Sequence, residues 1–259
     1  MTTQLLEERY AIAGKRALVT GGGAGIGRAT ARLLGALGAR VVVMDRDRDL
    51  ASETVAIVRD AGGVGLALAA DVGDTTALEA AFETMLEEVG APQIVVNNAG
   101  MAIRARATEI AEEDWNQVLS VNLTGMFMVA RLAARQMKPN GGGVIINTAS
   151  IMGLSGGLYP NVAYQTTKGG VVNMTRALAL EWAADGIRVN AIAPTYVKTG
   201  FITALTSNPE TLKTITEATP LGRLAEPEEI ADAIVFLASG AAAMITGTIL
   251  PIDGGYLAR

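Results

Sequence analysis

The chain has 259 residues, half of them hydrophobic, and a formal net charge of −5 at pH 7. It contains no cysteine and no histidine, which excludes disulfides, thiolate nucleophiles, the usual metal sites and a Ser-His-Asp triad. The acidic balance argues against a nucleic-acid partner, so we expect no nucleic acid, no metal, and acid/base chemistry that uses Tyr, Lys, Asp or Glu.

Short apolar runs rich in β-branched residues alternate with longer helical patterns along the chain. The predicted strands are, in chain order, residues 16–20, 40–44, 64–70, 94–96, 143–148, 187–192 and 248–252. The predicted helices are residues 26–37, 47–60, 75–89, 112–137, 162–184 and 228–237. Strands that are apolar on both faces and separated by helices predict an α/β fold, in which one doubly wound parallel sheet carries helices on both faces.

No repeat or linker divides the sequence, so we predict a single domain over residues 1–259, with an N-terminal extension at 1–14. The first nine residues include Glu7 and Glu8 and lack an apolar core, which is not the pattern of a signal peptide. The uncharged stretch 233–252 is interrupted by Gly, Thr and Pro, which favours a helix end, a loop and a strand over a membrane span. We therefore expect a cytoplasmic protein without a membrane partner. The long connection 194–226 predicts a substrate lid.

A glycine-rich turn joins the first predicted strand to the first predicted helix, with the sequence Thr20-Gly-Gly-Gly-Ala-Gly-Ile-Gly27. Glycines there let the backbone approach a pyrophosphate at the helix N-terminus. Such a turn can also be purely structural, but the strand before it and the helix after it favour a dinucleotide site. We predict cofactor contacts at Gly21, Gly25, Ile26 and Gly27.

Asp45 ends the second strand, where a carboxylate can accept hydrogen bonds from a ribose hydroxyl and repel a 2′-phosphate. This predicts NAD as the cofactor, the alternative being a solvated acid at a strand end. Arg46, next to it, is a further predicted cofactor contact. It could hold a 2′-phosphate, so NADP remains an alternative cofactor. Asp71 and Val72 close the third strand and either contact adenine or cap the next helix.

The fourth strand is followed by Asn98, Ala99 and Gly100. Small residues there let the backbone approach the cofactor, although Asn and Gly also favour an ordinary turn. We predict all three as cofactor contacts.

Tyr164 and Lys168 lie four residues apart on a predicted helix and so share one face. A free tyrosine has a pKa of about 10, and lowering it by about three units needs roughly 4 kcal/mol. The lysine ammonium and the positive nicotinamide favour the phenolate. Without histidine, this pair is the best acid/base candidate, although such a spacing often reflects only a surface contact.

Two more polar residues are candidates for the catalytic group. Ser150 follows the fifth strand, so it either positions a substrate oxygen or caps a turn. Asn122 lies inside a predicted helix, an unfavourable place for Asn. It either holds a water that connects Lys168 to solvent or makes a local hydrogen bond.

Taken in order, these residues resemble the short-chain dehydrogenase/reductase family, over essentially the whole chain after about Gly14. The resemblance rests on Thr20-Gly-x-x-x-Gly25-x-Gly27, Asp71, Asn97-Asn98-Ala99-Gly100, Asn122, Ser150, Tyr164-x-x-x-Lys168, Arg188-Val189-Asn190, Pro194 and Asp253-Gly254-Gly255. It implies a Rossmann-type fold with seven strands and a catalytic tetrad of Asn122, Ser150, Tyr164 and Lys168. It also implies that Tyr164 and Lys168 contact the cofactor, as do Val121, Pro194, Thr195, Val197 and Thr199.

Two departures from the family pattern stand out. Ser150 and Tyr164 are fourteen residues apart where the family more often has thirteen, which predicts a bulge in the loop 155–161. Thr195 stands where the family usually has glycine, so its side chain is expected to narrow the nicotinamide pocket or touch the substrate.

The family is usually a tetramer or dimer, and we expect a homotetramer here. The helices 112–137 and 162–184 would form the interface, the second of them carrying Val171, Val172, Met174, Ala177, Leu178 and Leu180. Part of this apolar set can equally be ordinary core.

The expected partner is a small alcohol or ketone substrate. Its pocket is predicted to be lined by Met101, Ile103, Met152, Leu158, Tyr159, Tyr196, Phe201 and Ile202. The sequence is similar to sugar, polyol and secondary-alcohol dehydrogenases of the family. Arg104 and Arg106 are either solvated or able to reach a charged group. The alternatives are a non-catalytic NAD(H)-binding regulator, an NADP-dependent ketoacyl-type reductase, and an epimerase or dehydratase.

Overall fold

The computed structural model describes residues 9–258, and the prediction of no signal peptide lies largely outside these residues. Seven parallel strands form one sheet in the order β3-β2-β1-β4-β5-β6-β7. The strands are β1 (Arg16–Thr20), β2 (Arg40–Asp45), β3 (Val64–Ala69), β4 (Ile94–Asn97), β5 (Gly143–Thr148), β6 (Ile187–Pro194) and β7 (Ile249–Ile252). The predicted doubly wound sheet is therefore confirmed, with ends that shift by one or two residues.

The described residues contain nine α-helices. They are α1 (Gly25–Ala36), α2 (Arg48–Asp60), α3 (Thr75–Glu88), α4 (Glu112–Leu119), α5 (Met126–Met137), α6 (Val162–Trp182), α7 (Thr203–Thr206), α8 (Pro209–Glu217) and α9 (Pro227–Ala238). Side-chain caps set three of the starts, because Asp47, Asp74 and Asn208 each accept hydrogen bonds from two backbone amides of the following helix. Asp71 instead accepts from the amide of Gly73, so it does not cap α3.

Successive strand residues point to opposite faces of the sheet, and each face has its own core. Val19 of β1 belongs to the cluster beneath α1, α2 and α9, together with Leu34, Val55 and Ile234. Its neighbour Leu18 belongs to the cluster on the other face, which is packed by α3, α5 and α6. Burial on both faces explains the continuous apolar runs of the strands.

The helix predicted over residues 112–137 is divided in the structure by a π-helical segment, Ser120–Gly125, between α4 and α5. Gly125 marks a close approach to the end of β3, since a Cβ there would lie 2.5 Å from the carbonyl oxygen of Val72. The span Glu112–Asn140 is long and apolar enough to cross a membrane by composition alone, the only such helix among the described residues. Val129 and Ala133 are buried against the sheet, as in the core helices of soluble proteins.

The connection 194–226 crosses the carboxyl edge of the sheet and carries α7 and α8. Two of its buried side chains, Val197 and Ala225, join the core cluster beneath α1, α2 and α9. Others form a small separate cluster with residues from neighbouring loops, which consists of Ile151, Tyr196, Ile202, Ile215, Ala218, Leu224 and Tyr256. The segment is thus packed onto the edge where strands β1 to β6 end. Its action as a lid stays a prediction.

Candidate active site

One cavity of about 520 Å³ opens along the carboxyl edge of the sheet. It is lined by Ser150, Tyr164 and Lys168 and by every predicted cofactor residue except Gly27: Gly21, Gly25, Ile26, Asp45, Arg46, Asp71, Val72, Asn98, Ala99, Gly100, Val121, Pro194, Thr195, Val197 and Thr199. The fold therefore gathers, into one cleft, residues that are far apart in the sequence.

The glycine turn has the shape of a phosphate cradle. Gly21 and Gly25 have φ angles of 59° and 52°, a region that side chains disfavour. A Cβ on Gly21 would lie 2.7 Å from the Cα of Ala99, and one on Gly25 would lie 3.0 Å from the Cγ2 of Thr199. These residues thus surround a narrow backbone turn at the N-terminus of α1, which fits a dinucleotide pyrophosphate.

Gly27 lies behind the turn rather than in the cavity lining. A Cβ there would lie 2.1 Å from the carbonyl oxygen of Gly21, so this glycine lets α1 pack against its own turn. Thr20 and Asn98 hold the turn from the other side: the Thr20 Oγ1 accepts from the amide of Asn98 at 3.1 Å, and the Asn98 Nδ2 donates to the Gly21 oxygen at 3.0 Å. No site role was predicted for Thr20, although it opens the glycine motif.

Asp45 sits at one end of the cavity and is held by the backbone. Its Oδ2 accepts from the amide of Gly23 at 2.9 Å and its Oδ1 from the amide of Asp47 at 3.1 Å. The exposed Arg46 follows it. Carboxylate oxygens keep further lone pairs, so this residue fits the ribose of a dinucleotide whose pyrophosphate lies on the glycine turn.

Tyr164 and Lys168 lie together deep in the cleft. The Lys168 Nζ is 5.5 Å from the centroid of the Tyr164 ring and donates to the Thr148 oxygen at 2.6 Å. Burial lowers the pKa of Lys168 from 10.5 to about 8. Burial also raises the pKa of the Tyr164 phenol above 10, while a hydrogen bond with Ser150 and the charge of Arg104 act to lower it. In the ligand-free protein, loss of hydration therefore prevails, and the lowering of the tyrosine pKa by Lys168 together with bound NAD+ stays a prediction.

The contacts of Ser150 and Asn122 bear on the alternative roles predicted for these two residues. The Ser150 Oγ accepts from the amide of Met152 at 3.1 Å, so it caps a turn and also interacts with Tyr164. Asn122 is fully buried, outside the cavity lining, and its amide bonds both the N–H and the C=O of Met101 at 2.8 Å, as well as the Thr167 hydroxyl at 3.2 Å. The local hydrogen bonds that were one alternative for Asn122 are thus present.

Most of the residues predicted to line the substrate pocket do line the substrate end of the cleft. Met101, Met152, Tyr159, Tyr196, Phe201 and Ile202 line the cavity, whereas Ile103 and Leu158 do not. Leu158 is 36% exposed. Several lining residues were not predicted, because their placement depends on the loops: Ile151, Asn161, Gln165 and Leu205.

Two polar atoms at this end have no hydrogen-bond partner among the described residues. The Asn161 Oδ1 and the Thr195 Oγ1 are buried without a hydrogen bond from any described residue, and both residues line the cavity. Buried polar atoms are normally paired, so these two suit a ligand that donates hydrogen bonds.

Several motif residues hold loops rather than face the cavity. Arg188 donates to the carbonyl oxygens of Leu237 and Ile245, and Asn190 bonds both Ile245 and Thr248. In the loop before α6, Gly157 has a φ of 71°, which accommodates an irregular turn. These residues position the elements around the cleft.

A family model described as "Enoyl-(Acyl carrier protein) reductase" matches residues 21–257. The galactitol 2-dehydrogenase (L-tagatose-forming) of Cereibacter sphaeroides is 43% identical over 253 residues, which cover 95% of this chain and 96% of that protein. The cis-4-hydroxycyclohexanecarboxylate dehydrogenase of Sinomonas cyclohexanicum is 41% identical over 249 residues, which cover 96% and 98%.

A solved structure agrees in fold over the same length. The crystal structure of a gluconate 5-dehydrogenase from Burkholderia cenocepacia J2315, in complex with NADP and tartrate, gives a TM-score of 0.94 at 35% identity and covers 98% of this chain and 99% of that one. Matching motifs, sheet order and relatives over nearly the whole chain show that this protein belongs to the short-chain dehydrogenase/reductase family, oxidoreductases that bind a nicotinamide cofactor and act on alcohols and carbonyl compounds.

Proposed function

We propose that the protein is an NAD-dependent oxidoreductase that interconverts a secondary alcohol, such as a polyol, sugar or other hydroxy compound, and its ketone. The observation that carries this proposal is the phenol of Tyr164 in the same cleft as the glycine turn, beside Ser150 and with the Lys168 Nζ 5.5 Å from its ring.

The residues divide the work as follows. NAD, held by the glycine turn and Asp45, would supply the hydride acceptor for the alcohol carbon. Tyr164 takes the hydroxyl proton, and in the reverse direction returns it to the ketone oxygen. Ser150 holds that oxygen through its hydroxyl. Lys168 supplies positive charge that favours the phenolate, and Asn122 fixes the backbone of Met101, which lines the substrate end.

NAD rather than NADP is proposed because the carboxylate of Asp45 faces the end of the cleft where a ribose would lie. Arg46 beside it is the feature that favours the NADP alternative, and the gluconate 5-dehydrogenase structure holds NADP. Replacing Asp45 with Ser should shift kcat/KM toward NADP by at least about tenfold, since it removes a like-charge repulsion. An unchanged ratio between the two cofactors would contradict the ribose assignment.

A panel of alcohols and ketones, followed by NADH absorbance, tests the reaction. The relatives suggest galactitol, cis-4-hydroxycyclohexanecarboxylate and gluconate as first members. Tyr164→Phe should lower kcat at least about a hundredfold while leaving NADH binding intact. If NADH binds and no member of a broad panel reacts, the protein is instead a non-catalytic NAD(H)-binding regulator.

We also propose a cytoplasmic homotetramer. Of the apolar residues expected at the interface, Val171, Val172 and Leu178 are buried within the chain, while Leu180 is 83% exposed and Ala177 is exposed. Light scattering at micromolar concentration should give four times the chain mass, and Leu180→Glu should give a smaller species. A monomeric wild-type protein would refute this proposal.

A further inference from the structure

Arg104 lies on the loop between β4 and α4 and reaches the substrate end of the cleft. Its guanidinium carbon is 5.9 Å from the centroid of the Phe201 ring, and its Nη2 lies 3.5 Å from the Phe201 oxygen. The Phe201 ring is in turn 5.9 Å from the Tyr164 ring. The cation is thus placed, through one aromatic contact, next to the phenol proposed to exchange the substrate proton.

The charge of Arg104 has no counterion in the part of the chain that the structure describes. The ion pairs there involve six other cations: Arg28, Arg32, Lys138, Lys198, Lys213 and Arg223. Three carboxylates line the cavity: Asp45 ends β2, Asp47 follows it, and Asp71 follows β3. They therefore lie at the far end from Phe201. The substrate end therefore carries net positive charge.

The same cation acts on the phenols around it. Its charge lowers the pKa of Tyr164 and opposes the larger rise that burial causes in Tyr196. The other cation of this region, the Lys168 ammonium, is buried and hydrogen-bonded to the Thr148 oxygen. Arg104 is exposed and, apart from the 3.5 Å hydrogen bond from its Nη2 to the Phe201 oxygen, no described residue accepts a hydrogen bond from its guanidinium.

From this geometry we propose that Arg104 binds a carboxylate of the substrate, so that the enzyme acts on a hydroxy acid and the matching oxo acid. The inference rests on the proposed alcohol/ketone activity. A guanidinium matches a carboxylate through two parallel hydrogen bonds. The unpaired Asn161 Oδ1 and Thr195 Oγ1 at the same end would accept hydrogen bonds from further hydroxyl groups of the substrate. The carboxylate is held and takes no part in the redox step.

The test compares 4-hydroxycyclohexanecarboxylate with its carboxamide, which has the same ring and reacting carbon but no charge. In the wild type, kcat/KM should favour the carboxylate by at least about tenfold, and Arg104→Gln should lower that preference at least about tenfold, as expected for one charge-assisted pair. Because Arg104 also acts on Tyr164, both substrates should slow in the variant, and the ratio of the two constants is the decisive readout. Arg104→Lys should retain part of the preference.

Arg106, also exposed but absent from the cavity lining, provides the matched control. Arg106→Gln should leave the carboxylate preference unchanged. Equal loss of preference in the Arg104 and Arg106 variants, or an unchanged preference in Arg104→Gln, overturns the assignment of the carboxylate to Arg104.

Calorimetric titration of 4-oxocyclohexanecarboxylate into the enzyme–NADH complex separates this inference from the proposed function. Binding that weakens at least about tenfold in Arg104→Gln, without turnover of any alcohol, supports the carboxylate site and refutes the dehydrogenase activity. Turnover of both test substrates with no discrimination supports the activity and refutes the carboxylate site. Absence of carboxylate binding in the wild type also refutes the site.

Discussion

Replacing Lys168 with Met should abolish turnover and change the free energy of unfolding by an amount that depends on pH. Lys168 is 2% exposed, and burial lowers its pKa from 10.5 to about 8. The unfolded chain keeps the proton up to about pH 10.5, whereas the folded protein releases it near pH 8. Between these values unfolding takes up a proton, so this lysine makes the free energy of unfolding rise with pH.

The two pKa values set the magnitude. A shift from 10.5 to about 8 corresponds to about 3 kcal/mol of destabilisation below pH 7, which falls to under about 1 kcal/mol at pH 10. Methionine has a similar length and no charge, so it removes this cost. It also leaves the Thr148 oxygen without its 2.6 Å donor, which costs about 1–3 kcal/mol at every pH. The variant should therefore be more stable than, or equal to, wild type at pH 7, and less stable at pH 10.

Urea unfolding of wild type and Lys168→Met at several pH values between 7 and 10 measures the difference in their free energy of unfolding. The difference in free energy of unfolding should change by about 2–3 kcal/mol over the range, because other titrating groups contribute equally to the two proteins. Turnover of the Met variant should be lost throughout. If the difference in free energy of unfolding between wild type and the Met variant stays constant with pH, this would falsify the view that loss of hydration destabilises the buried ammonium of Lys168.

Three further changes test other parts of the cleft. Gly21→Ala should weaken NADH binding at least about tenfold in a fluorescence titration, because the added Cβ would collide with Ala99. The control is Gly62→Ala, which also has a positive φ, of 86°, but no atom within 4 Å of the added Cβ, and it should keep wild-type affinity. Asn122→Ala removes three buried hydrogen bonds and should lower the free energy of unfolding by about 2–3 kcal/mol in urea; a change under half of the lower value contradicts this. Thr195→Val should raise the free energy of unfolding of the ligand-free protein by about 1 kcal/mol, since it removes a buried hydroxyl with no partner among the described residues; a loss of stability would show that the hydroxyl is already paired.

Part of the site was predictable because its signals are local. The glycine turn needs positive φ at Gly21 and Gly25, and only glycine accepts it readily. Tyr164 and Lys168 are one helical turn apart, so their proximity follows from the helix alone. Strand ends of a parallel sheet share one edge, which already placed Asp45 and Ser150 near the same cleft.

Other features depend on contacts that the sequence does not reveal. The π-helical segment at Ser120–Gly125 interrupts a pattern that reads as one continuous helix. The free-protein pKa of Tyr164 moves upward rather than downward because burial outweighs nearby charges. Asn161 belongs to no recognisable sequence motif. Its side-chain oxygen is an unpaired acceptor only because the loop around it buries that atom.

By itself, the sequence determined the alternation of strands and helices, the parallel sheet and the residues at its carboxyl edge, because hydrophobic periodicity and glycine conformation act over a few neighbouring residues. The tertiary structure alone decided the depth at which Tyr164 and Lys168 are buried, the partners of Asn122 and the position of Arg104 over Phe201. Hydration, ion pairing and side-chain stacking depend on the distance between residues remote in the chain, and only the folded packing fixes those distances.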